Sequence, residues 1–491
     1  MRGIRTIDPR RGRGRARRVP RKDRCMRRST MGRMGMRVGL VLAVACNAVA
    51  ATAAPGDIDT GFAREGIAVL DPPATSWRTS APAVQRDGRI VVCRSGLQSG
   101  GNPDVPGYVY RLTRDGAPDH AFGSAGRVVL DANAPDIYVP CLVAARDDGR
   151  IVVMTQQTYS GRRAVRFIQL LADGSKDPAF GTDGVADVFP FDAPTATASA
   201  MALQDDGKIL VGASLSPNKF GVARVDAHGI IDAGFGESGL AVMPFPVVLL
   251  SFSSVHDIRI DTGGRIVVTG TVSTDPVGRQ LFAIARLLVD GRPDPTFGTE
   301  GLVTIDVEDH SAPVGAGFLD GDAIVVAGAA TNPWSPFPGV ISADVGVARL
   351  ASDGRLDTTF GNGRPVIVPV DLVANGYDIA YGGVARAQGG VVLASSADDA
   401  DGAQATLLAL DVFGVRDAAF GMDGVMSYAL VEGAVRSGFT AIAMQDSDYI
   451  AVGSAAASDG LQTAVVIRVH GAAAVANERG HSAHARAIDA H

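Results

Sequence analysis

Apolar and polar residues alternate along this chain in short runs and do not recur at helical spacing. Runs such as GRVVLD (126–131), GLAVMP (239–244) and GLVTID (301–306) are followed by a second run, AMALQ (200–204) or HDIRI (256–260). A turn written RDGR (86–89), DDGR (147–150) or DDGK (205–208) comes next. It leads into the most continuous apolar run of the unit, IVVC, IVVM, ILVG, IVVTG, IVVAG, VVLA or IAVG, and a fourth run such as YVYRL, GVARV or AIARL closes it. Period-two alternation over so few residues predicts strands, and Asp-Gly between two runs predicts antiparallel hairpins with two-residue turns at positive φ.

A phrase separates the units: DTGFAREG, DHAFGSAG, DPAFGTDG, DAGFGESG, DPTFGTEG, DTTFGNGR and DAAFGMDG. Its Phe falls at Phe62, Phe122, Phe180, Phe235, Phe297, Phe360 and Phe420, at spacings of 60, 58, 55, 62, 63 and 60. Four short strands in each of seven units, 28 in all, predict an all-β, seven-bladed β-propeller of four-stranded antiparallel blades. A parallel β-helix is the rival, but its coils are shorter and lack Asp-Gly hairpins. In the propeller the phrase is architectural. Its Asp accepts backbone N–H bonds in a turn, its glycines supply unusual backbone angles, and its Phe fills the gap between blades. Seven ligand sites are the functional alternative.

An Arg stands eight residues before the phrase's Asp in four units, Arg111/Asp119, Arg224/Asp232, Arg286/Asp294 and Arg349/Asp357, while Gln169 and Ala409 break the pattern. These pairs are expected to brace the turn. Arg468 has no Asp after it and Asp59 has no Arg before it, so ring closure would join Asp59 to Arg468. The strand at 66–71 would then complete the last blade, a 1+3 closure.

Composition changes this picture mainly at the chain's beginning. Residues 1–54 hold 15 of the 46 Lys and Arg and two of the 52 Asp and Glu. An Arg-rich stretch is followed by an apolar run from Val38 to about Ala50 and by small residues at Ala51, Ala53 and Ala54, the pattern of a secretory signal peptide cleaved near Ala54. A lipid on Cys46, through AVAC, is an alternative. The run is too short for a membrane span, which needs roughly 20 residues, so no span is expected after cleavage. The expected location is secreted or periplasmic. The remainder carries 31 basic against 50 acidic residues, a net charge of −19, which argues against nucleic acid as a partner. The expected domains are therefore 1–54, the propeller over 55–471, and a flexible tail over 472–491. Cys93 and Cys141 remain outside the leader, and export would allow them to form a disulfide or leave two buried thiols.

The unit, with its x-x-DG-[RK]-I-V-V-x-G centre and A-R-[LV]-x-x-DG-x-x-D-x-x-FG-x-x-G close, strongly resembles the delta-60 repeat of secreted bacterial proteins. The resemblance covers about residues 57–470, and ARLLVDGRPDPTFGTEG fits it best. It is also similar to the NHL-type propeller. That similarity implies that the second run of each unit is innermost in its blade and the first run outermost in the preceding one. Departures stand at GFAREG, DGDAIVV (320–326) and QDSDYIAV (445–452), where turns are expected to differ. The resemblance implies no particular chemistry.

Hairpin parity places both repetitive turns on one face and all irregular links on the other, where binding is expected. The irregular links carry Trp77, Trp334, Phe337 and Phe252, candidate binding aromatics or mere cover for blade edges. No H-E-x-x-H, C-x-x-C, G-x-S-x-G or P-loop occurs, so no catalytic residue is assigned. No metal site is assigned, although calcium could find carboxylates in VEDH (307–310) and DDAD (398–401). The expectation is a monomeric binding module for a protein or glycan at the cell envelope or outside the cell. A glycan lyase or hydrolase with a loop-built site at the channel mouth is the alternative.

Overall fold

The computed structural model describes residues 53–74, 77–96, 107–130, 141–159, 161–191, 196–215, 218–246, 252–273, 279–307, 313–331, 342–370, 372, 376–399 and 402–471. They all lie in one compact unit, Thr52–His491, while residues 1–52, Trp334, Phe337 and residues 472–491 lie outside them. The described residues form a seven-bladed β-propeller without helices. One blade shows the plan: Thr197–Leu203 pairs with Ile209–Leu215, which pairs with Lys219–Val225, which pairs with Leu240–Pro244, every pair antiparallel. The innermost strands, among them Thr197–Leu203, Ser253–Ile260, Val314–Asp320, Ile379–Ala385 and Arg436–Gln445, each contact the next around the ring, and Arg436–Gln445 contacts Ala83–Val84. The last sheet consists of Arg436–Gln445, Asp448–Ala456, Gln462–Val469 and, from the other end of the chain, Ile67–Ala74.

The innermost strand of the first blade is broken into Trp77–Thr79 and Ala83–Val84, so 29 strands are found where 28 were expected. Pro82 lies at the break, and a proline has no N–H for the ladder. The Asp-Gly turns also differ from expectation. In Gln204–Lys208 only Gly207 has positive φ, while the Asp206 carboxylate accepts the Lys208 N–H at 3.1 Å. One left-handed glycine after a type I turn suffices for this longer hairpin loop. The two units that depart from the repeat make the tighter turns: Asp320 pairs with Ala323 and Gln445 with Asp448, with Gly321 and Asp446 at positive φ.

The apolar core lies between blades. Seven buried clusters each join side chains of two adjacent sheets, for instance Val152 and Phe167 against Ile209 and Ala223. Each phrase's Phe reaches across this seam to a glycine at positive φ in the next turn. A Cβ on Gly116, Gly174, Gly229, Gly291, Gly354, Gly414 or Gly56 would come within 2.6–3.3 Å of the ring of Phe62, Phe122, Phe180, Phe235, Phe297, Phe360 or Phe420 respectively. The residue after each Phe donates its N–H across the same seam: Ala63 to Asp115, Gly123 to Asp173, Gly181 to His228, Gly236 to Asp290, Gly298 to Asp353, Gly361 to Phe413 and Gly421 to Pro55, at 2.7–3.1 Å. The seven bonds close the ring.

The Arg–Asp pairs lie beside this seam. Arg111–Asp119, Arg224–Asp232 and Arg286–Asp294 meet at 2.8–2.9 Å, Arg349–Asp357 at 3.4 Å and Arg468–Asp59 at 2.6 Å. The guanidiniums of Arg111, Arg224 and Arg286 also stand 4.5 Å from the centres of Phe122, Phe235 and Phe297. Where the Arg is missing, other donors reach the Asp: Gln169 Nε2 donates to Asp177 at 2.8 Å, and Arg386 pairs with Asp417. Cys93 and Cys141 form a buried disulfide with a Cα separation of 5.7 Å, joining the first blade to the approach to the second.

Candidate functional site

The innermost strands enclose a channel with a cavity of about 1250 Å³, lined from all seven blades. A regular inner strand sends alternate side chains into the two flanking seams and leaves few for the channel. Five strands solve this in the same way. The pairing register slips between Ala198 and Ala200, Val255 and Asp257, Val314 and Ala316, Ala380 and Gly382, and Phe439 and Ala441. A β-bulge leaves one residue unpaired and re-aims its side chain. The residues so released, Ser199, His256, Gly315, Tyr381 and Thr440, all line the channel.

From this ring the cavity extends along the strands to the repetitive turns at Asp205, Asp206 and Thr262. The described cavity thus reaches the face expected to be plain. That face also exposes apolar side chains on its turns, among them Ile230, Val289, Phe413, Val415 and Met422.

His256 is accessible from the channel yet has protein on every side, and this burial lowers its pKa from 6.5 to about 4. Its imidazole is neutral near pH 7. Burial pushes the neighbouring Asp257 carboxyl up, opposed by Arg259 at 2.7 Å and by the Ile258 N–H. Burial likewise raises the Tyr381 phenol, with Tyr377 adding to the effect, so it too is uncharged. Ser199 Oγ donates to the Val255 carbonyl at 2.6 Å, tying one bulge to the next. Gly315 must lack a side chain, because a Cβ there would lie 2.0 Å from the Ala380 carbonyl oxygen.

Of the aromatic candidates, Phe252 is exposed at the start of an innermost strand on the irregular face. Trp77 opens a short strand there, with its side chain outside the described part, as are Trp334 and Phe337. Of the four side chains, Phe252 alone lies within the described part. The two acidic runs lie largely outside the described residues, at 308–310 and 400–401. Asp59, Asp448 and His470 do approach within 4.8 Å of one another at the ring closure, but Asp59 already accepts from Arg468 and from the Gly61 N–H.

The bulge ring escaped motif reading because its members are separated by about sixty residues and share no side-chain type. A positional signal was present. Ser199, His256 and Tyr381 each stand eight residues before the turn glycine, at Gly207, Gly264 and Gly389, although Cys141 before Gly149 shares that spacing and is buried in the disulfide.

Five segments, residues 85–122, 146–180, 204–235, 264–297 and 323–360, match the family model described as "Domain of unknown function (DUF5122) beta-propeller". No curated protein matches the chain. Among solved structures, the chain is similar to the polysaccharide lyase Uly1, at 11% identity over 86% of this chain and 98% of that one, with a TM-score of 0.47. It is similar to a Trypanosoma rangeli sialidase at 10% identity over 85% and 58% of the two chains, with a TM-score of 0.35. It is also similar to PorZ, a surface component of the type-IX secretion system of Porphyromonas gingivalis, at 12% identity over 79% and 46%, with a TM-score of 0.38.

Proposed function

We propose that this protein is an exported binding module, acting at the cell envelope or outside the cell, that receives a ligand in its propeller channel. One observation carries the reading: five β-bulges in five different blades turn their unpaired residues into one cavity. A ring held by seven interblade hydrogen bonds and seven Phe–Gly contacts keeps those residues in place without a ligand, which lowers the cost of ordering them on binding. The acidic balance of the chain outside its leader disfavours nucleic acid. The apolar residues exposed on the repetitive turns suit a protein or glycan surface.

A propeller enzyme acting on glycans is the second reading. His256 beside Asp257 favours it, because a neutral imidazole and a carboxyl pushed upward are protonation states useful to a base and an acid.

The test is a thermal-shift screen of residues 55–471 against calcium with a chelator control, a glycan panel and envelope extracts. A ligand at 100 times its Kd adds about 2.7 kcal/mol of stability. A shift without turnover of the bound material supports the module, turnover lost in His256→Ala supports the enzyme, and no shift with any addition counts against both.

A further inference from the structure

The bulge ring has a chemical character that narrows what it would hold. Ser199 and Thr440 offer hydroxyls, His256 a neutral imidazole and Tyr381 a phenol that is 42% exposed to the channel. None of them carries charge: Ser199 donates to the Val255 carbonyl and Thr440 to the Val452 carbonyl, so their hydroxyls offer acceptors to the channel, while His256 and Tyr381 can donate or accept. The fifth position, Gly315, contributes no side chain and leaves the channel open between His256 and Tyr381. The charged residues of the wall are Asp205, Asp206, Asp257, Arg259 and Asp261. Arg259 is engaged by Asp257 at 2.7 Å, Asp206 by Lys208 at 3.0 Å and Asp261 by Arg265 at 2.6 Å. Three of the four carboxylates are thus paired with cations, and Asp205 is left as a surplus negative charge on the wall.

The geometry points to a neutral, polyhydroxylated small molecule, of sugar or sugar-alcohol chemistry, entering from the face of the repetitive turns and resting against Ser199, His256, Tyr381 and Thr440. The inference rests on the binding-module reading and adds to it a ligand class and an entrance. Hydroxyl groups both donate and accept, which matches a ring holding two acceptors, Ser199 and Thr440, beside two groups that do either. The Tyr381 ring offers a flat apolar surface to the C–H face of such a molecule. The cavity of about 1250 Å³ exceeds the usual span of small-molecule pockets, roughly 300–1,000 Å³, so size does not exclude a disaccharide. An anion would meet the surplus charge of Asp205, and the one cation of the described lining, Arg259, is already paired with Asp257.

The experiment is saturation-transfer NMR on the chain from Pro55 to Gly471, followed by calorimetry on whichever probe responds. The probes are glucose, galactose, mannose, their disaccharides and sorbitol, with galacturonate and spermidine as the charged arms. At least one neutral probe is expected to bind, and its Kd to rise about tenfold in Tyr381→Ala and in Thr440→Ala, the loss of one good contact. Trp334→Ala is expected to leave the Kd unchanged. Circular dichroism melting of each variant separates lost binding from lost folding, and Ser199→Ala serves as a further site variant if Tyr381→Ala fails to fold.

Neutral binding that survives the ring variants and disappears in Trp334→Ala would overturn the channel site and leave the binding module standing. Binding of galacturonate or spermidine alone, sensitive to the ring variants, would overturn the ligand class. If every probe is silent while an envelope extract still stabilises the chain, this inference falls and the broader reading survives.

Discussion

The guanidinium of Arg468 meets the carboxylate of Asp59 at 2.6 Å across 409 residues of chain. The same guanidinium lies 5.1 Å from the centre of the Phe62 ring and donates at 2.9 Å to the Arg114 carbonyl in the next blade. The contact repeats at the junction of the chain ends what Arg286, Asp294, Phe297 and the following blade do within the chain. Local sequence separation differs, and the chemistry does not.

Asp59→Ala should therefore destabilise the domain by about 2 kcal/mol, below the full cost of breaking a buried pair because both groups keep some access to water. Burial works to raise the Asp59 pKa, but the Gly61 N–H and Arg468 outweigh it and hold the carboxyl below its ordinary 3.8. A lowered folded-state pKa means that the pair's stability is present above pH 3.8 and is lost as pH falls through the folded value. Urea unfolding at pH 7 and at pH 3 measures this. The gap between wild type and Asp59→Ala should narrow at the lower pH. A loss no larger than that of the exposed control Glu432→Ala would refute it.

Phe297 is fully buried against Gly354, and Phe297→Ala should cost about 3–5 kcal/mol. Gly354→Ala should destabilise for two reasons, its φ of +87° and a Cβ only 3.0 Å from that ring. In the double variant the clash with the ring disappears, while the close approach to Gly298 N and Val303 and the backbone strain remain. The two losses should then sum to more than the measured whole, a coupling that a denaturant double-mutant cycle reads directly. Strict additivity would mean that the ring and the glycine do not meet.

The Cys93–Cys141 disulfide closes a loop of 48 residues, for which the chain-entropy description predicts about 4 kcal/mol. Unfolding with and without reductant, and in Cys93→Ala with Cys141→Ala, should show a lower midpoint once the bond is absent. An unchanged midpoint would show that the bond constrains nothing the blades do not already hold.

His256 should impose a pH slope of its own. Its folded pKa of about 4 lies below its ordinary 6.5, so the unfolded chain binds more protons between these values. Its contribution is complete above pH 6.5 and is lost as pH falls towards 4. Thermal midpoints from pH 7.5 to 4.5 should fall less steeply in His256→Gln than in wild type. Parallel curves would show an imidazole that titrates as if in water. The titration of the His256 ring protons followed by NMR gives the same answer independently.

Much of the fold was legible because a repeat states each instruction seven times. The Phe positions reported the period, and the Asp-Gly turns reported the hairpins that exclude a β-helix. The turn type was misread at Asp206–Gly207 because the number of residues in a hairpin loop depends on register, which two letters do not specify. Gln169 and Ala409 read as breaks in the Arg pattern, yet Asp177 and Asp417 are bonded all the same. Their partners, Gln169 itself and Arg386, differ in type or come from another strand. Trp77, Trp334, Phe337 and Phe252 drew attention as rare large residues, whereas the channel residues are chemically ordinary and gain meaning only from where bulges aim them.

Local chemistry therefore determined the strands, the turns, the period and the blade count, since alternation, glycine conformation and aromatic spacing act within a few neighbouring residues. That Ser199, His256, Gly315, Tyr381 and Thr440 share one cavity was decided by the tertiary structure. Five register slips in five sheets point these residues at one axis, and only closing the ring makes that axis a cavity. The chain itself sets Asp257 next to His256, but only the closed ring puts protein around both, and the shifted protonation of the pair follows from that burial.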